Sequence, residues 1–217
     1  MNASGNAFDM RPEPLSSKPF LALRKVFHVI TSAVFPLYYW YLPFTESAAQ
    51  GRAFILIVLF AAAACLLASE AARLFVPVFN RCLMARFRLL IRPSEEKRVT
   101  GATYVCLSFL LITYFFSREI AIAAMLFLTL GDTAAEIIGK NWGRVRYRGR
   151  SLEGMAGFLA VAFPAAWLVL GDWRTALAGA AVGAAVEFFS FRVDDNLTVP
   201  VLSAVALWIL NILIGSS

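Results

Sequence analysis

From Phe20 to Ile214 the chain is a succession of apolar runs broken by short polar or basic segments. A helix rising 1.5 Å per residue needs about twenty apolar residues to cross the hydrocarbon of a bilayer. Seven stretches approach that length, at about 25–43, 54–79, 101–117, 119–139, 154–171, 175–191 and 197–214. Only Ser117, Arg118 and Glu119 separate the third from the fourth, which predicts a tight helical hairpin there. The fold class expected is all-α, a polytopic transmembrane bundle of about seven spans that forms one domain over residues 20–217. Residues 1–19 hold Asp9, Arg11, Glu13, prolines and serines without the basic-then-apolar order of a secretory signal, and are expected to be a disordered cytosolic tail.

Composition agrees with a lipid-embedded chain. Of 217 residues, 60% are hydrophobic and 16% charged, with a mean hydropathy of +0.71, more apolar surface than one soluble core of this size normally buries. The net charge of +6 does not point to nucleic acid, because most basic residues sit in short loops where topology accounts for them. Alternate polar segments hold sixteen lysines and arginines, whereas the intervening ones hold Arg52, Arg118 and Arg174 alone. That asymmetry predicts a cytoplasmic N-terminus and an external C-terminus. Tyr38, Tyr39, Trp40 and Tyr41, with Trp173, then read as an outer aromatic belt. Between the second and third spans, Leu83, Phe87, Leu90 and Ile91 share one helical face and Arg81, Arg88 and Arg92 another, as in a short helix lying on an anionic leaflet. Cys65, Cys82 and Cys106 lack C-x-x-C spacing or a nearby His, so they read as small apolar fillers rather than zinc or disulfide positions. A bacterial inner membrane is the expected location, with an organelle membrane the other option.

Charges inside spans are expensive, on the order of 2.5–3.5 kcal/mol each at a helix centre. Glu70 and Arg73 sit three apart in the second span, either as a self-neutralising pair or as part of an inner site. Asp132 and Glu136 sit four apart on one face of the fourth span, where like charges repel and call for a cation. A divalent metal carrying phosphates is one answer, since hard carboxylate oxygens suit Mg²⁺; Arg73 or Lys140 is the other. Glu187 lies late in the sixth span, and Asp194, Asp195 and Asn196 follow it, either as a helix cap or as further acids of the same site. With the orientation applied, all these acids fall in the cytoplasmic half.

The segment from Lys140 to Arg150 carries five positive charges and no acid. If extended, it would aim Arg144, Arg146 and Arg148 one way, toward a polyphosphate or lipid headgroups. Gly139, Gly143 and Gly149 permit close backbone approach to an anion, and Ser151 to Gly154 open the fifth span, where free helix amides favour one. His28, the single histidine, follows Arg24 and Lys25 at the inner end of the first span, as a structural group or a proton carrier.

The run Gly131-Asp132-Thr133-Ala134-Ala135-Glu136-Ile137-Ile138-Gly139-Lys140-Asn141-Trp142-Gly143-Arg144, followed by Arg150-Ser151-Leu152-Glu153-Gly154, resembles the signature of the dolichol kinase, phytol kinase and CTP-dependent diacylglycerol kinase family. Arg24-Lys25-Val26-Phe27-His28, Thr100-Gly101-Ala102-Thr103-Tyr104, and Glu187 leading to Asp194-Asp195-Asn196-Leu197-Thr198-Val199-Pro200 agree in order. The resemblance implies a membrane enzyme that phosphorylates a lipid alcohol (a polyprenol, a phytol-like isoprenoid or diacylglycerol), using CTP and a divalent metal such as Mg²⁺. On this reading Asp132, Glu136 and Asp194 or Asp195 hold the metal. Lys140, Arg144 and Arg150, with Gly143, Ser151, Glu153 and Gly154, bind the nucleotide, and Asp132 or else His28 takes the hydroxyl proton. Arg24, Lys25, Glu70, Arg73, Thr100, Glu187 and Asn196 complete the inner site. CDP-diacylglycerol synthases look similar around the central element but differ at the segment beginning with Asp194, and Arg150 stands where a Lys commonly precedes Ser-Leu-Glu-Gly. Cytidylyl transfer to phosphatidic acid and a non-enzymatic lipid-binding or transport role are the competing expectations.

Overall fold

The computed structural model describes residues 18–41, 47–87, 95–189 and 193–215, with the side chains of 18–28, 48 and 214–215 outside that description. Almost everything is helix: α1 (Lys18–Tyr41), α2 (Ala48–Phe75), α3 (Pro77–Arg86), α4 (Gly101–Phe115), α5 (Arg118–Leu126), α6 (Thr133–Trp142), α7 (Leu152–Leu170), α8 (Trp173–Phe189) and α9 (Asp195–Gly215). A π-helical turn, Phe127–Asp132, joins α5 to α6 in one rod, and two-residue strands β1 (Arg146–Tyr147) and β2 (Arg150–Ser151) form a small hairpin before α7. The tail expected over 1–19 falls mostly outside the described residues.

Each of the seven apolar stretches coincides with a helix, but among the described residues four are long and apolar enough to cross a membrane: Ala49–Phe75, Arg118–Trp142, Leu152–Leu170 and Asp195–Leu213. The 15 residues of α4 reach about 22 Å against a hydrocarbon core of about 30 Å. The second expected stretch also stops early. Pro77 has no amide to continue α2, so that helix ends at Phe75, and extended Val76 leads into α3. The expected interfacial helix corresponds to α3, which buries none of its residues; Arg88, Leu90, Ile91 and Arg92 lie outside the described residues.

The break between the third and fourth stretches forms because Ser117 caps α5, its hydroxyl accepting from the Ile120 amide. Beside it, Arg118 donates to the carbonyls of Tyr39 and Trp40 at the end of α1, at 3.1 and 2.6 Å, and lies over both rings. Tyr39 is consequently buried and is no belt residue, whereas Tyr38, Trp40, Tyr41 and Trp173 remain exposed. Of the cysteines only Cys106 fills a buried position; Cys65 and Cys82 face outward.

The rod from Arg118 to Trp142 is the centre of the bundle, with 61% of its spanning window buried against 22% or 28% for the other three. Phe109 of α4, Phe127 of the π turn and Phe158 of α7 are fully buried around it. Buried alanines (Ala162, Ala166, Ala176, Ala180 and Ala184) let α7 and α8 approach closely, as small residues do where helices meet in lipid.

Candidate functional site

Asp132 occupies the last position of the π turn, a distortion that often accompanies functional positions because it re-aims side chains from an otherwise regular helix. One turn later, Glu136 and Lys140 follow on α6 and form an i,i+4 ion pair. The repulsion expected between Asp132 and Glu136 is thus relieved at Glu136 by the protein's own lysine.

After α6 the chain does not run extended. Arg148 and Gly149 both take positive φ, 47° and 87°, the two-residue turn geometry that matches strand twist in a hairpin. The strands pair Arg146 with Ser151 and Tyr147 with Arg150. Tyr147 stacks on Phe188 of α8 at 5.9 Å between ring centroids, which docks the hairpin on the bundle.

A cavity of about 710 Å³ lies where these segments meet the ends of α4, α8 and α9. Asp132, Glu136 and Lys140 line it from the central rod, and Arg146, Arg148 and Arg150 from the hairpin. Glu187 faces it from α8, and Asp194, Asp195 and Asn196 from the start of α9. Ser151 and Gly154 form part of the wall, and Glu95, Arg98 and Tyr104 close the remaining side.

Arg150 is the hub. Its guanidinium donates to Glu187 Oε1 at 2.5 Å and also pairs with Asp195, so one side chain ties β2 to α8 and α9. Burial opposes its charge, but Glu187, Asp195, Asp132 and Glu136 more than offset this and hold its pKa above the usual arginine range. Asp194 Oδ1 accepts from the Asn196 amide at 3.0 Å and from Asn196 Nδ2 at 2.7 Å, which makes it the cap of α9 while it also lines the cavity.

Several expected site residues lie elsewhere. Arg144 is exposed and does not line the cavity, unlike Arg146 and Arg148. Glu153 Oε1 accepts from the Val145 amide at 3.4 Å, bracing the hairpin from outside the cavity. Gly143 likewise plays a packing part: a Cβ there would stand 2.2 Å from the Gly139 carbonyl oxygen and 2.7 Å from Ser151 Oγ. Ser151 is buried and accepts from the Gly154 amide at 3.0 Å as the cap of α7. Gly143→Ala should accordingly loosen the hairpin from α6 and cost about 1–3 kcal/mol of stability, read as a lower unfolding midpoint in detergent; an unchanged midpoint would contradict this packing role.

Glu70 and Arg73, both buried, and half-buried Thr100 form a cluster outside the cavity lining. Glu70 accepts from the Thr100 amide at 3.0 Å, from Thr100 Oγ1 at 2.7 Å and from Arg73. Arg24, Lys25 and His28 ride on α1, but their side chains are outside the described residues. Glu95, Arg98 and Tyr104 were not picked out as site residues from the sequence. Arg98 belongs to a basic segment that topology alone explains, and Tyr104 ends the Thr100-to-Tyr104 match.

The donor set suits hard anions and cations together, but it does not prebuild a metal cage. Among the described residues no three His, Cys, Asp or Glu side chains converge as metal ligands. The expected set of Asp132, Glu136, Asp194 and Asp195 is divided by the Glu136–Lys140 and Asp195–Arg150 pairs.

Comparison with known proteins finds relatives over much of the chain. It is 28% identical over 189 residues to an uncharacterized protein of Rickettsia prowazekii, covering 82% of this chain and 88% of that one. It is 26% identical over 154 residues to CTP-dependent diacylglycerol kinase 1 of Schizosaccharomyces pombe, covering 62% of this chain and 71% of the relative. To phytol kinase of Synechocystis it is 36% identical over 141 residues, covering 56% and 60%. No family model matches, and no solved structure does.

Proposed function

We propose that this chain, which is similar to a CTP-dependent diacylglycerol kinase and to a phytol kinase, is an integral membrane kinase that moves the γ-phosphate of CTP onto a lipid alcohol. The acceptor would be a polyprenol, a phytol-like isoprenoid or diacylglycerol. One observation carries the reading: carboxylates and cations from the central rod, the hairpin, the turn before α4, the end of α8 and the start of α9 line a single cavity at one end of an apolar bundle. With the sixteen-to-three distribution of basic residues, that end faces the cytoplasm, the N-terminus lies inside, and the seven apolar helices make up the bundle. A bacterial inner membrane is the location this supports.

Phosphoryl transfer needs positioning and charge neutralisation more than covalent chemistry. Lys140, Arg146, Arg148 and Arg150 would hold the triphosphate, with Arg150 exchanging a carboxylate partner for a phosphate oxygen. The lipid hydroxyl approaches from the bilayer side, and its oxygen bonds to the γ-phosphorus. The bond from that phosphorus to the β–γ bridging oxygen breaks, CDP leaves, and the hydroxyl proton passes to Asp132. A divalent cation entering with the phosphates would rest on Asp132 and one further carboxylate, since Mg²⁺ is commonly held by one or two carboxylates and the substrate's own oxygens.

The test is label transfer. Purified protein is given CTP labelled at the α or the γ phosphate with a panel of lipid alcohols and phosphatidic acid. Label from γ in a lipid alcohol is expected; label from α in phosphatidic acid would mean cytidylyl transfer, and no transfer at all would leave a lipid-binding or transport role.

A further inference from the structure

The cations around the cavity differ in how far they are already committed. Lys140 is paired with Glu136, and Arg150 with Glu187 and Asp195. Arg146 donates to the Gly139 carbonyl at 3.1 Å, and Arg148 lies 5.4 Å over the Tyr147 ring. Arg98 lines the same cavity from the opposite part of the sequence and is exposed there. Its side chain makes no hydrogen bond, ion pair or ring contact among the described residues.

The backbone beneath Arg98 is, by contrast, held from several directions. Arg73, 2% exposed, donates to the carbonyls of Glu95 at 2.8 Å and Glu96 at 3.0 Å and also to that of Arg98. Asn80 Nδ2 reaches the Glu96 carbonyl at 3.0 Å. Glu70, 6% exposed, neutralises Arg73 and grips Thr100 through both its amide and its hydroxyl. A buried ion pair is costly to desolvate and contributes little net stability. Here it clamps one short turn whose arginine points outward, with no side-chain partner among the described residues.

We infer that Arg98 is a further contact for the donor's phosphates, and that Arg73, held by Glu70, is the positioning residue that sets it. This rests on the kinase reading, and it deepens that reading by adding a phosphate contact outside the loop that follows the central rod. A guanidinium without a competing carboxylate can turn its full fork of donors to an incoming phosphate.

The experiment measures donor KM, acceptor KM and kcat for the full chain in lipid vesicles, and the equilibrium affinity for CTP alone. Arg98→Ala should raise donor KM and weaken CTP binding about tenfold or more, as loss of one charge-assisted contact would, with acceptor KM unchanged. Arg73→Lys keeps the charge beside Glu70 but cannot reach three carbonyls at once. It should raise donor KM several-fold and add less than its own effect when combined with Arg98→Ala. CTP affinity unchanged in Arg98→Ala would overturn the inference whether or not the wild type turns over. Full additivity of the two substitutions would remove the positioning role from Arg73. Failure of the wild type to phosphorylate any lipid alcohol sinks the kinase reading alone, because the binding measurement still decides the contact.

Discussion

Arg150→Ala is expected to weaken the fold and donor binding together, and by more than any other single change at the hairpin. Glu187 is 2% exposed, and its recorded partner is Arg150. Truncation leaves that carboxylate buried beside Asp195, and removing one member of a buried pair costs about 3 kcal/mol, the lower end of the usual range because Arg150 itself is a quarter exposed. In a chain of this size that is a fall of about 6–12 °C in the unfolding midpoint. Arg150→Lys should lose less, since the charge stays but one ammonium replaces a fork spanning two carboxylates. The decisive control is the double variant: Glu187→Gln added to Arg150→Ala should recover much of the lost stability by removing the stranded charge. If the two losses simply add, Arg150 is not the tie between β2 and α8.

Asp132→Asn should do the opposite, sparing the fold and stopping the chemistry. The side chain keeps its size at the end of the π turn but can no longer accept the hydroxyl proton or serve as a charged ligand. Loss of a positioned general base alone lowers turnover by about 10²–10⁴. The expected result is therefore a kcat reduced at least about a hundredfold with an unfolding midpoint within a degree or two of wild type. Undiminished turnover would take Asp132 out of the mechanism.

Much of the bundle was legible in the sequence because apolar run length needs no tertiary information. Ser117 and Pro77 mark real boundaries through capping chemistry and a missing amide. Legibility failed where geometry depends on a partner distant in sequence. Arg73 and Glu70 form the intrahelical pair that was one of the two readings of their spacing, but the carbonyls Arg73 serves lie 22, 23 and 25 residues away and carry no sequence signal. The hairpin escaped for another reason. Strands of two residues show no alternation to detect, and the positive φ at Arg148 and Gly149 that turns the chain back leaves no periodic signal. Of the three arginines expected to face one way, Arg146 and Arg148 line the cavity and Arg144 does not. The acids were legible as a group, since buried charge is rare enough to demand a reason, but how Lys140 and Arg150 divide them was not.

Amide hydrogen exchange of the protein in detergent, with and without CTP, tests whether the cavity receives the nucleotide. Slowed exchange concentrated in 145–151, 95–100 and the first turn of α9 is predicted, because those segments carry the walls that would close on the phosphates. Protection confined to other segments, or an exchange pattern indifferent to CTP at concentrations that support turnover, would contradict the account.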